Sequence, residues 1–453
     1  MNSAVLLAVP GARPIAMVVS VTERWLIKGG RLVDPVKGLD GPGDLLIEGG
    51  LIANLPSGGS GVAGATEIDA RGLTVAPGFI DLHVHFREPG NEEAETVASG
   101  SWAAARGGFT AVVTMPNTSP AIDSPELVKR QMDLGRECGC VRIMPAACIS
   151  RMRGGAEAAD LHALALAGAA AFTDDGNTVA DENLMREAMR TARAVGKPIM
   201  DHALDPVLAG RGVMHQGSVS ARLGLPGIPA LAEVGIVERN IRLSDETGCA
   251  MHIQHVSTAG AAALIRQARE RGLPVSGEVT PHHLALCDED VDAGNPAFKM
   301  SPPLGSETDR LALIEAVAEG VLQALSTDHA PHRAEDKNKG FLAAPFGVVG
   351  LETAIGVTYE ILVRSGRMGL IEWIRRWTEG PALVLGIAPP ALSPGSVADV
   401  TLLDLEHGWT VRADEFASRS RNTPFEGRSL VGRSVATWCG GRLTWREGDQ
   451  IRS

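Results

Sequence analysis

Eight short apolar runs, most of them finished by polar residues, alternate with helix-like stretches through the middle of this chain. The runs are TVAPGFIDLHVHF, FTAVVTMPN, RIMPAACIS, AAAFTDDG, KPIMDHA, CAMHIQHVS, LPVSGEVTPHHL and LQALSTDHAP. Between them lie EEAETVASGSWAAARGG, SPELVKRQMDLGRE, DENLMREAMRTARAVG, the stretch from Pro229 to Gly248, and TAGAAALIRQARERG. A short apolar run followed by a segment of helical period reads as a βα unit. Eight such units over roughly 300 residues predict an α/β fold, a closed (β/α)8 TIM-like barrel, in preference to an open doubly wound sheet. No G-x-G-x-x-G follows the first run, which disfavours a dinucleotide site.

The two ends are written differently. From Trp25 to Val75, and again in SVADVTLLDLEHGWTV and VATWCGGRLTW, short alternating segments are broken by Gly, Pro and Asp. They predict a small β-sandwich built from residues 21–72 plus 392–453, flanking a catalytic barrel over 73–391. Residues 1–20 are expected to be a disordered extension, with Met17 as an alternative start. They lack a basic leading region and are broken by Pro10, Arg13 and Pro14, so they do not read as a signal peptide. Lys and Arg total 42 against 54 Asp and Glu, a net charge of -12 that argues against nucleic acid as a partner. No apolar run approaches the ~20 residues that cross a bilayer, so no membrane partner is expected. The six scattered cysteines imply no disulfide framework and suit a reducing cytoplasm, and Cys138-x-Cys140 has no second pair to make a zinc ribbon.

The working face of such a barrel is the carboxyl end of its strands. There the runs end in His83-Val84-His85, Asn117, Asp174-Asp175, His202, His255 and Asp328. His83 and His85, two apart on a strand, turn their rings to one side. A lone H-x-H is weak, because most histidines are surface or satisfied core groups. Four imidazoles with carboxylates make a set larger than one tetrahedral ion needs, which predicts two metal ions sharing a carboxylate. His252 and His329 are expected to face away as buried hydrogen-bonded residues, and His162, His215 and His407 to be structural or solvated. His282 and His283 end the seventh run, with nothing in the spacing to bring either into the site. His332 leaves the eighth strand for a loop, Arg87 carries a planar fork suited to a carboxylate, and Asn117 offers donor and acceptor together.

The run PGFIDLHVHFREPG with MPNT resembles the amidohydrolase superfamily and, within it, the class I dihydroorotases of bacteria. The resemblance continues through FTDDG, PIMDH, HIQHVSTA, EVTPHHL, STDHAPH, PFGVVGLET and GSVADVTLLD, nearly the whole chain after its first twenty or so residues. It implies His83, His85 and Asp328 as ligands of one metal, His202 and His255 of the other, and Asp175, rather than Asp174, as the bridge. It implies one or two Zn2+ ions, two expected. Arg87, Asn117 and His332 would hold the substrate α-carboxylate, and the Phe346-Gly347 backbone would meet the pyrimidine ring. His85 counts among the substrate contacts as well. The family commonly reads Asn-Pro-Pro-Leu-Arg where this chain has Ser301-Pro302-Pro303-Leu304-Gly305, so Ser301 stands as a shorter substrate contact.

The implied activity is the reversible closure of N-carbamoyl-L-aspartate to dihydroorotate with loss of water, in de novo pyrimidine synthesis. A metal-activated hydroxide would attack, and Asp328 would shuttle the proton. The alternatives are another cyclic amidase, namely a hydantoinase, dihydropyrimidinase or allantoinase, and a non-catalytic scaffold for aspartate carbamoyltransferase. The amidases typically bridge their metals with a carboxylated lysine, absent from Phe172-Thr173-Asp174-Asp175, and a scaffold should have lost ligands that are all present here. A homodimer and a complex of active enzyme with aspartate carbamoyltransferase stay open.

Overall fold

The computed structural model describes residues 23–55 and 62–448; the extension expected over residues 1–20 lies outside them. Eight parallel strands form one sheet in sequential order: Phe79–Val84, Phe109–Thr114, Arg142–Ala147, Ala171–Phe172, Ile199–Asp201, Met251–Ile253, Val275–Val279 and Ala324–Leu325. They are the first to eighth barrel strands below, and each falls in one of the eight apolar runs. The seam closes where Val84 bridges His329 in parallel and the His85 amide donates to the His329 carbonyl at 2.8 Å. Ile80, Leu82, Ala111, Val113, Met144, Ala146 and Met200 pack into a buried apolar plug with Ala382 and Leu385. On the other side Phe79 lies edge-on to Trp373 and stacks on Trp377, tying the first strand to the last helices.

Local chemistry sets the crossover helices. Ser124 caps Pro125–Cys138, with proline in the first turn and Gly139 closing it at φ 63°. Asp181 caps Glu182–Ala194 by accepting from the Asn183 and Leu184 amides. Among the described residues no helix is long and apolar enough to cross a membrane.

Both ends of the chain meet in a second, mixed sheet that makes the β-sandwich. Its path runs Arg442–Arg446, Ser429–Cys439, Val400–Thr410, Thr74–Pro77, Arg24–Asp34, Leu39–Glu48 and Leu51–Ala53, with Thr66–Asp69 beside Arg24–Asp34. Thr74–Pro77 sits centrally, antiparallel to Val400–Leu403 and parallel to Arg31–Leu32. The first apolar run therefore serves two sheets, which divide at Gly78. A Cβ there would lie 2.3 Å from the Thr110 side chain, so only glycine lets the chain pass so close to its neighbour. Ile27, Ile47, Val75, Val400 and Trp438 form the core of this layer.

The terminal region also reaches the barrel seam. Buried Glu95 accepts from Ser99 and Ser418 hydroxyls, from the Arg419 amide at 3.2 Å and from His329 Nε2 at 3.3 Å.

Candidate active site

The six metal-type residues stand at or just past strand ends. His83 belongs to the first strand and His85 follows it; Asp175, His202, His255 and Asp328 come one to three residues after the fourth, fifth, sixth and eighth. His255 and Asp328 take φ of 32° and 46°, left-handed values that cost energy for residues with side chains and concentrate at functional sites.

His83 Nε2 lies 3.2 Å from Asp175 Oδ1 and 3.5 Å from Asp328 Oδ1. His85 Nε2 lies 3.5 Å from Asp175 Oδ2 and 3.0 Å from Asp328 Oδ1. On the other flank, His202 Nδ1 and His255 Nε2 are each 3.7 Å from Asp175 Oδ1 and 2.8 Å from one another. Two groups with metal-ligand geometry result, His83/His85/Asp175 and Asp175/His202/His255, sharing Asp175. Asp174 instead accepts from the Ile149 and Ser150 amides at 2.9 and 3.1 Å, anchoring the loop after the third strand.

These donors suit a divalent cation. His83 Nε2 and Asp175 Oδ1 are buried without a hydrogen-bond partner, an arrangement that is costly unless something binds between them. Burial works against charge on His83, yet Asp175 and Asp328 outweigh it and hold its proton affinity well above the ordinary value. Burial alone would raise Asp175 and Asp328, but His83 keeps both carboxylates well below the usual range. The cluster thus draws positive charge to its centre. Burial and the neighbouring His255 push His202 down to about 3, leaving a neutral imidazole, the form that ligates.

A second layer aims the rings. His83 Nδ1 donates to Glu278 Oε1 at 3.0 Å, which turns Nε2 toward Asp175, and Glu278 Oε2 takes His252 Nε2 at 3.0 Å. His85 Nδ1 donates to Asn117 Oδ1 at 2.8 Å. Glu278 escaped the sequence reading, although a charged residue inside the apolar run LPVSGEV was a usable signal. His252 bonds Ser276 as well, and His329 bonds Glu95 and the Gly350 amide. His283 is held between Thr280 and the Pro302 carbonyl, and His282 is buried with Nε2 unpartnered. His407 pairs with Asp404 near the surface.

Over this cluster opens a cleft of about 840 Å³ lined by His85, Asp175, His202, His255 and Asp328 on one side. Arg87, Asn117, Ser301, His332, Phe346 and Gly347 line it as well. Burial lowers Arg87 to about 10; its Nε donates to the Pro331 carbonyl at 3.1 Å and its Nη2 is 3.5 Å from His332 Nε2. His332 Nε2 donates to the Phe346 carbonyl at 2.7 Å. Because Asn117 Oδ1 is taken by His85, its amide nitrogen is the group left for a ligand.

The Phe346-Gly347 segment is tied down by lysines. Lys337 Nζ donates to the Pro345 and Gly347 carbonyls at 3.0 and 2.9 Å, and Lys299 Nζ sits 4.5 Å over the Phe346 ring. Asn422, from the C-terminal segment, donates to the Ala330 and Gly347 carbonyls. Gly347 has φ 135°, and a Cβ there would meet Ala330 Cβ at 2.7 Å. At Gly305 a Cβ would come within 2.8 Å of the Ser257 carbonyl, so this backbone leaves no room for the arginine of the related motif. Arg153, another lining residue, was not anticipated from sequence.

A family model described as Dihydro-orotase-like matches residues 72–261. A dihydroorotase of Anaeromyxobacter dehalogenans (strain 2CP-1) is 47% identical over 429 residues, 94% of this chain and 99% of that protein. A dihydroorotase of Bacillus subtilis (strain 168) is 43% identical over 387 residues, 85% of this chain and 90% of that protein. The solved structure of an L-hydantoinase (dihydropyrimidinase) from Arthrobacter aurescens matches with a TM-score of 0.83 at 26% identity, covering 95% of this chain and 97% of that one. Identity of this order along nearly the full length, on a barrel whose strand ends converge as described, means that the chain belongs to the dihydroorotase family of the amidohydrolase superfamily.

Proposed function

We propose that the protein interconverts N-carbamoyl-L-aspartate and dihydroorotate, the ring-closing step of de novo pyrimidine synthesis. The observation that carries this reading is the buried His/Asp cluster lying directly beneath a cleft that also holds Arg87 and Asn117. In ring closure the carbamoyl nitrogen forms a bond to the side-chain carboxyl carbon, and one carboxyl oxygen leaves as water. Arg87 and Asn117 hold the α-carboxylate that takes no part, which fixes the substrate's orientation, and His332 joins them by sharing with it the Nε2 proton that the Phe346 carbonyl accepts in the free protein. The cleft's second side, Ser301 and the Phe346-Gly347 backbone, receives the forming ring. Zn2+, two ions per chain, suits the four imidazoles and the shared Asp175. His83, His85 and Asp328 would hold one ion, His202 and His255 the other, and Asp175 both. When bound, such ions lower the pKa of water and polarise a carbonyl. In hydrolysis Asp328, ionised and in reach of His85 Nε2, would take the proton of the attacking water and deliver it to the departing ring nitrogen; in closure it would take the carbamoyl N–H proton and deliver it to the departing oxygen.

The hydantoinase likeness favours a second reading, another cyclic amidase. An aspartate between the two histidine pairs and a half-buried arginine in the cleft weigh for the acidic substrate. Assays of dihydroorotate hydrolysis and carbamoyl aspartate cyclisation, with and without a chelator, test the proposal. Activity on both, lost with the metal, is expected; activity confined to hydantoins or allantoin overturns the substrate, and full activity after verified metal loss overturns the metal role. The six free cysteines accord with a cytoplasmic setting. Light scattering of the protein alone and mixed with an aspartate carbamoyltransferase tests the homodimer and that complex.

A further inference from the structure

Every barrel strand but the third sends a residue from its carboxyl end or following loop into the reading above. The loop after that strand carries Arg153, which lines the cleft. Met152 and Arg153 are consecutive non-glycine residues in the left-handed region, φ 52° and 57°, a conformation unfavourable to any side chain with a Cβ. The loop is clamped in it from both sides. Asp123 accepts from the Met152 amide at 2.8 Å, Asp174 holds the Ile149 and Ser150 amides, and Ser150 Oγ accepts from the Gly155 amide at 2.8 Å.

That clamp turns the Arg153 guanidinium inward. Its Nη2 donates to the Asp175 carbonyl, and Nε and Nη2 each lie 3.4 Å from the Asp174 carbonyl. These partners are backbone oxygens, so no carboxylate neutralises the charge through them. A Cβ on Gly176 would lie 3.0 Å from Arg153 Nη2 and 3.7 Å from Asn117 Nδ2, so both donors flank one spot of the cleft wall. Arg153 also adds to the positive potential felt by Arg87. The cleft therefore has two guanidinium groups beside one free amide.

We propose that Arg153 is a second anion-reading residue, through which the cleft favours the open dianion over the ring-closed monoanion. The inference rests on the function proposed above: the open substrate carries two carboxylates and the ring one, because closure consumes the other. Arg87 with Asn117 matches the carboxylate present in both. A second cation gains its attraction only while the second carboxylate exists.

The test uses the metal-loaded protein and titration calorimetry with two inert probes. N-acetyl-L-aspartate is a dianion without the nitrogen that closes the ring; orotate is a ring monoanion. Arg153→Met should weaken the dianion about tenfold, the loss of one charge-assisted contact, and orotate less than about twofold. Arg153→Lys should recover part of the dianion affinity, since it keeps the charge without the fork. Equal weakening of both probes, no weakening, or a loss explained by a fall in metal content would each overturn the proposal. Calorimetry needs no turnover, so a wild-type protein that ignores dihydroorotate sinks the functional reading while this test still reports on Arg153. If Arg153→Met does not fold, Arg153→Lys alone decides: unchanged preference between the probes overturns the proposal.

Discussion

The two halves of the cleft are built in opposite ways. The inner half hangs on strand ends: His83, His85, His202 and His255 are almost fully buried, and Glu278 and Asn117 aim two of the rings. The outer half is carried by loops, where Arg87, Arg153, His332 and Phe346-Gly347 are held mostly by backbone carbonyls, by lysines and by Asn422. Strand ends place atoms rigidly, as ion ligation demands. Loops leave room for one chain to differ from its relatives, and Ser301 and Gly305 both sit there.

The largest expected effect separates two carboxylates within the inner half. Asp328→Asn keeps an oxygen near His85 but cannot accept the proton, so kcat should fall by about 10²–10⁴ with metal largely retained. Asp175→Asn should instead lower metal content, because a neutral amide bridges two cations poorly. Metal analysis beside kcat decides, and normal turnover by metal-loaded Asp328→Asn would reassign the shuttle.

A smaller effect tests whether the halves are separable. Glu278→Gln should weaken metal affinity about 10–100-fold by loosening His83, with substrate affinity unchanged once metal is saturating. Arg87→Lys should do the reverse, lowering kcat/KM roughly ten- to a hundred-fold at unchanged metal content. If each variant disturbs both quantities, the division fails.

The smallest effect is a pH dependence confined to the inner half. Asp81 is fully buried, accepts from the Thr327 amide and hydroxyl, and is raised by burial from 3.8 to about 7. Its folded value exceeds its unfolded one, so its stabilisation is complete below the unfolded value and is lost as pH rises through about 7. Thermal unfolding of chelated protein should show wild type losing stability from pH 5 to 8 more steeply than Asp81→Asn. Parallel profiles would remove Asp81 from the account.

The same division governed what could be read from sequence. All eight barrel strands were legible because buried parallel strands are short, apolar and bounded by turns. The inner histidines were legible because they close those strands. Arg153 was not, since its inward direction comes from two left-handed residues and a clamp by Asp123 and Asp174, which no spacing rule encodes. Glu278 stood out as a charge among apolar neighbours, but its partners His83 and His252 come from other strands, so its role was not legible. The split of the first run at Gly78 was equally hidden, because Thr74–Pro77 is as apolar as the barrel strand it precedes, and only pairing with Val400–Leu403 assigns it elsewhere.

That pairing, with the contacts of Ser418 and Arg419 on Glu95, has a consequence for how the protein is born. During synthesis the barrel strands leave the ribosome one after another, but the partners of Thr74–Pro77 and of Glu95 at Val400–Leu403, Ser418 and Arg419 emerge only after the eighth of them. Until they emerge, Glu95 holds the seam residue His329 with its own carboxylate half satisfied, and the central strand of the terminal sheet has one edge bare. The newborn barrel is thus completed by residues from Val400 to Arg419, so a chain interrupted before Val400 would leave the seam beside Asp328 unlatched.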